Sequence, residues 1–98
     1  MIFARVIGTV VSTQKDPSLN GKKLLLCKEV DHAGNPLASY HVAVDAVQAG
    51  EGSLVLLSYG SAARMTEETR NAPVDAVVMA IIDHVQIDKD VVVAKGGR

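Results

Sequence analysis

Ser61, Arg64, Cys27 and the histidines His32, His41 and His84 are the residues of this 98-residue chain that invite a chemical reading. Ser61 and Arg64 follow a glycine in the stretch 59–65, YGSAARM. A nucleophilic serine sits in a G-x-S-x-G turn between strand and helix, with a histidine base in reach. Here the run is G-S-A-A-R, so the second glycine is absent, the serine is displaced, and the histidines follow no triad spacing. Ser61 reads instead as an N-cap or turn residue whose hydroxyl satisfies a free N–H. One cysteine and three scattered histidines do not form a zinc ligand set, so no metal is expected. Gly50-Glu51-Gly52 lacks the Lys-Ser/Thr of a phosphate loop, and Glu51 would repel the anion. No catalytic residue and no cofactor is expected. Arg64 leaves two readings open. It is a solvated surface arginine, or its guanidinium fork clamps a chain–chain contact through Asp45, Asp75 or Asp83.

The elements that position these residues read as strands. Residues 1–13 are rich in β-branched side chains, with Gly8 a bend or a point of close backbone approach. Residues 15–21, KDPSLNG, read as a loop. A second strand spans 23–31, and its run LLLC suggests burial on both faces. After the turn 32–36, HAGNP, residues 40–45 alternate, placing Tyr40, Val42 and Val44 on one face and His41, Ala43 and Asp45 on the other. A glycine-bearing turn at 47–52 precedes a strand at 53–58, and 66–73, TEETRNAP, is the one segment with helical character. Residues 75–87 form the most apolar strand, followed by a turn at 88–90, a last strand at 91–93 and a loose tail KGGR.

Short strands, frequent turns and one short helix predict an all-β fold. At this length it is a small five-stranded OB-like β-barrel with a C-terminal extra strand. A single domain spans 1–98, the barrel occupying about 1–87 and the extra strand and tail 88–98.

Composition then narrows the function classes. Hydrophobic residues make up 48% of the chain and mean hydropathy is +0.20, a surplus for a small domain standing alone. The longest apolar run, 76–82, is far short of the roughly 20 residues of a membrane span. The first residues carry Arg5 inside their apolar part and no small-residue cleavage site, so no signal peptide is read there. Net charge is −1 and the aromatics are only Phe3, Tyr40 and Tyr59, which offers neither a basic groove nor a stacking platform. A nucleic-acid-binding OB module is therefore the weaker alternative. A single cysteine suits a reducing cytosol. The surplus apolar surface points to association with other protein chains. In the strand at 77–85, Val77, Met79, Ile81 and Val85 lie at odd positions and Val78, Ala80 and Ile82 at even ones. One face lines the barrel, and the other predicts a subunit interface.

Taken in order, ARVIGTVVSTQKDPSLNGKKLLL, VDHAGNP, VAVDAVQAGEG, GSAAR and PVDAVVMAIIDHV resemble the vertex proteins of bacterial microcompartments, the EutN/CcmL type, over 1 to about 85. The resemblance implies an OB-like barrel that is not an enzyme. Five copies would form a homopentamer plugging the five-fold vertices of a shell whose facets are hexameric and trimeric proteins, in the cytoplasm, with no nucleic acid and no membrane as partner. It places subunit contacts at the loops 45–50 and 60–64. The expected interface residues are thus Asp45, Gly50, Gly60, Ser61, Arg64, Val77, Met79, Ile81, Ile82 and Asp83. Where the family has Val-Gly-Ala-Gly, this chain has Val47-Gln48-Ala49-Gly50, so Gln48 is expected in an ordinary backbone conformation.

Overall fold

The computed structural model of the chain describes residues 1–70 and 74–94. Its strands are β1 (Ile2–Val10), β2 (Leu24–Val30), β3 (Pro36–Asp45), β4 (Leu54–Tyr59), β5 (Ala76–Ile81), β6 (His84–Ile87) and β7 (Asp90–Ala94). The first five close into a barrel in the order β1-β2-β3-β5-β4, with β4 returning to β1. All pairings are antiparallel except β3 with β5, where Val44 stands beside Val77 and Asp45 beside Val78. This is the small all-β, OB-like barrel expected from the sequence.

A barrel of five strands has a narrow lumen, and the sequence fills it with small and branched side chains. Ala4, Val6, Leu25, Cys27, Ala43, Val55, Leu57 and Val78 form the buried cluster, with Ala49 and Ala76 closing it. Period-two alternation holds as read in β3, since Ala43 and Asp45 are buried while Tyr40 and Val42 stand exposed.

Three register shifts interrupt the barrel wall, at Val6/Gly8, Lys28/Val30 and Leu56/Leu57, and two of them insert a single residue and so change its phase. Val6 pairs with Cys27 but Gly8 with Leu26, leaving Ile7 as the extra residue of β1. Gly8 thus marks a bend, although no close approach occurs there: a Cβ on Gly8 would meet nothing within 4 Å. In β5, Leu57 pairs with Val78 but Leu56 with Ala80, so Met79 is the extra residue. An added residue flips every later side chain to the other face. The expected odd/even division of this strand therefore fails beyond Val78.

The strand expected to run unbroken to 87 is also divided. β5 ends at Ile81, and after Ile82 and Asp83 the chain enters β6, which pairs only with β7 in a separate two-stranded sheet. The barrel therefore ends earlier than the sequence suggested. The helix expected over 66–73 is absent from its described part. Thr69 N and Arg70 N both turn back to Thr66 O, and Thr69 N also donates to Thr66 Oγ1, a side-chain acceptor that competes with helix geometry. Residues 71–73 lie outside the described residues, as does the expected loose tail 95–98. Helical turns occur instead as 3-10 turns at Pro17–Leu19 and Gly60–Arg64.

Candidate assembly surface

The turn Gly60–Arg64 begins where β4 leaves the barrel. Gly60 adopts φ +68, a left-handed conformation that a side chain would strain, and its N–H donates to Asp75 O at 2.9 Å. Ser61 is exposed within the turn, and the N-cap position belongs to Tyr59, without a side-chain bond. Ser61 is thus a turn residue and not the cap. Arg64 is exposed, and its Nη1 donates to Val74 O at 3.3 Å, tying the turn to the segment that leads into β5. Ala63 is wholly buried beneath it.

This turn explains Val77, which points out of the barrel yet has 0% exposure. Its neighbours across the sheet, Val44 and Ser58, are buried too, as are Ala63 and Thr69 from the 60–70 segment, a small second core outside the barrel. The outward Val77 is covered by its own chain. It has no surface left to give a partner, which corrects its expected place in an interface.

The other expected residues lie toward the opposite end of β5. Asp45 is buried, and its Oδ1 accepts from Val47 N at 3.1 Å and Ala49 N at 3.2 Å. It organises its own loop. Inside that loop Gln48 takes φ 59, so the expectation of an ordinary backbone there is overturned. The two hydrogen bonds to Asp45, with Lys23 Nζ 3.4 Å from Ala49 O, fix the loop tightly enough to hold a non-glycine residue in the left-handed region. Gly50 is exposed at the loop tip. Met79 and Ile82 are half-buried, Asp83 is exposed, and Ile81 keeps 39% exposure at the end of β5. The structure thus splits the ten residues between two ends of the barrel.

Sequence reading missed one feature and read a second only in part. At the barrel end beside Gly60–Arg64, His41 Nε2 lies 2.9 Å from Glu29 Oε1 while its Nδ1 meets the Tyr59 hydroxyl, and the two rings stand edge to face at 5.5 Å. Burial, aided by the charges of Asp75, Cys27 and Glu29, pushes the Tyr59 phenol up. These side chains cap the lumen, just above Cys27, whose thiol is pushed up to about 11 by burial and the nearby Asp45 charge. The second feature is an apolar outer face on β1–β3. Leu24 and Leu26 point outward, level with Val10, Val42 and Val44, and a groove of about 210 Å³ runs there between Leu19, Leu24, Val42, Val44 and Val74. The LLLC run carried that signal, since a barrel strand apolar on both faces needs cover from outside.

Among the described residues no cluster of histidine, cysteine and carboxylates could hold a metal. Tyr40 has its ring face occupied by Lys28 Nζ, 3.9 Å from the centroid, so it gives no free platform for a base.

A closed five-stranded barrel with apolar outer faces is a self-associating module. More narrowly, the chain belongs to the EutN/CcmL family: the family described as "Ethanolamine utilisation protein EutN/carboxysome" matches residues 1–83. It is 53% identical to the carboxysome shell vertex protein CcmL of Gloeobacter violaceus, over 90% of this chain and 88% of that one. The solved CcmL of Nostoc sp. PCC 7120 superposes with a TM-score of 0.93 at 52% identity, covering 97% of this chain and all (100%) of that one. The GrpN pentameric microcompartment shell protein from Rhodospirillum rubrum superposes with a TM-score of 0.80 at 42% identity, covering 89% and 99%.

Proposed function

We propose that five copies of this chain close into a ring that fills the five-fold vertices of a bacterial microcompartment shell in the cytoplasm, as a structural part and not as an enzyme. The relatives' roles as shell vertex proteins and the pentameric state of GrpN support this reading. The observation that carries it is the apolar surface left on the outside of a closed barrel: Val42 at 49% and Tyr40 at 59% exposure, beside the outward Leu24 and Leu26, while Ile81 keeps 39% exposure at the far end of β5. Monomers rarely leave such surface contiguous.

A ring forms when each copy presents one face to one neighbour and a different face to the other, with a rotation that closes. Sheets of hexagonal units cannot close on themselves, and pentagonal corners supply the missing curvature. The end of β5 (Met79, Ile81, Ile82 and Asp83), the loop tip at Gly50 and the turn at Gly60, Ser61 and Arg64 contribute to contacts between subunits, and the outer rim meets the hexameric and trimeric shell proteins. Asp45 serves indirectly, by shaping the loop that carries Gly50. An obligate ring contact of this kind buries well above roughly 1,000 Å². Native mass spectrometry of the purified chain counts the copies directly. Five are expected, and a monomer that persists at high concentration would overturn the reading.

A further inference from the structure

The β6–β7 hairpin has no place in its own chain. No barrel strand is hydrogen-bonded to it, and among the described residues neither strand packs substantially against any barrel element. The molecule measures 46 Å against 24 and 22 Å across, and the radius of gyration of 13.6 Å exceeds the roughly 12.6 Å of a compact domain this long. The hairpin's apolar side chains are left in solvent, with Ile87 47% and Val91 60% exposed. An isolated two-stranded hairpin is marginally stable at best in water. Something outside the chain must hold it.

The groove on the outer face of β2 and β3 has the complementary need. Leu19, Leu24, Val42, Val44 and Val74 line it, with Asp75 the one charged residue beside it among the described residues. A chain's own hairpin is badly placed to fill it. The groove lies beside Val74 and Ala76, where β5 begins, whereas the hairpin departs two residues after Ile81, where β5 ends. Donor and acceptor are different surfaces at opposite ends of one strand, which is the arrangement that generates head-to-tail contacts.

The geometry points to an arm exchange: the β6–β7 hairpin of each copy lies across the Leu24–Val42 groove of the next, covering Ile87 and Val91 and locking the ring. This rests on the ring reading above and deepens it. The donor segment begins just past the part of the chain that the family match covers, residues 1–83. The solved CcmL of Nostoc sp. PCC 7120 aligns over 97% of this chain, so a segment of this length is shared and the arm acts beside the barrel contacts.

Hydrogen exchange on the full-length protein tests this, with native mass spectrometry run on the same sample. In the wild-type ring, amides of β6 are expected to exchange about 100-fold more slowly than free peptide, and Val42→Asp on the acceptor face is expected to return them to within about tenfold of it. Exchange at the free-peptide rate in an intact five-membered ring overturns the arm and leaves the ring standing. Protection that survives Val42→Asp in an intact ring overturns this seat, and shows the arm docked elsewhere. A wild-type protein that is monomeric overturns both. Because Val42→Asp could weaken the barrel itself, Val91→Asp serves as the second variant. It changes only the arm and is expected to remove the same protection while leaving exchange in β1 to β5 at the wild-type rate. Protection of β6 unchanged in Val91→Asp also overturns the proposal.

Discussion

Replacing Ile81 by aspartate is the sharpest test of where the subunits meet. Ile81 ends β5 opposite Val55, outside the buried cluster, and 39% of it remains exposed in the single chain. Covering that remainder is worth roughly 0.6–1.2 kcal/mol per contact, taking 1.5–3 kcal/mol for full burial of an isoleucine. Ile81→Ala should therefore weaken each contact by only about three- to eightfold. Ile81→Asp loses the same term and adds a carboxylate whose desolvation costs several kcal/mol without a partner. The sum exceeds about 3 kcal/mol, or more than roughly 100-fold in each contact's dissociation constant. Sedimentation velocity across a concentration series reads this directly, and circular dichroism checks that the barrel persists. Monomers of Ile81→Asp at concentrations where wild type is a ring are the expected result. An Ile81→Asp ring whose dissociation midpoint lies within threefold of wild type would refute the reasoning.

Three further outcomes follow from the loop and the lumen. Gln48→Gly removes a left-handed strain of about 1–2 kcal/mol against a glycine entropy cost of about 0.5–1 kcal/mol, so Tm at fixed protein concentration should rise by a few degrees. A fall in Tm would show that the Gln48 side chain contributes to the loop. Asp45→Ala leaves Val47 N and Ala49 N without their acceptor and should cost about 1–3 kcal/mol in urea unfolding, while Asp45→Asn, which keeps an acceptor oxygen, should cost less. With its thiol near 11, Cys27 presents only about one thiolate in 1,000 at pH 8, and burial slows it further, so a thiol reagent should label it on the timescale of unfolding. Rapid labelling of the native ring would contradict that placement.

The barrel was legible because its strands obey a period of two. The alternation of 40–45 correctly put His41, Ala43 and Asp45 on one face, which the barrel turns inward, and the LLLC run announced a strand apolar on both sides. What stayed hidden depends on partners distant in the chain. Met79 is the extra residue of a bulge only because of how Leu56 and Leu57 register against β5, and no local pattern shows that register. Val77 looked like interface because its outward face is apolar, and the cover that removes it from solvent comes from the Gly60–Arg64 turn, which the chain lays back against β5. Gln48 violates a local preference because two hydrogen bonds to Asp45 outweigh it, and sequence offers no sign of those bonds. The Glu29–His41–Tyr59 cap needed three strands brought to one end of the lumen, which alternation alone does not supply.

Closure of β1 through β5 also decides how this protein can go wrong. Every barrel strand has a partner on both flanks, although β3 meets β5 only at Val44 and Asp45, so the closed barrel gives cross-β growth little open edge. β6 and β7 are each paired on one side only, and their residues include Ile87 and Val91. Subunits made in excess over their shell would carry that pair of sticky edges, and fibrillar deposits would nucleate there, with the barrel still intact.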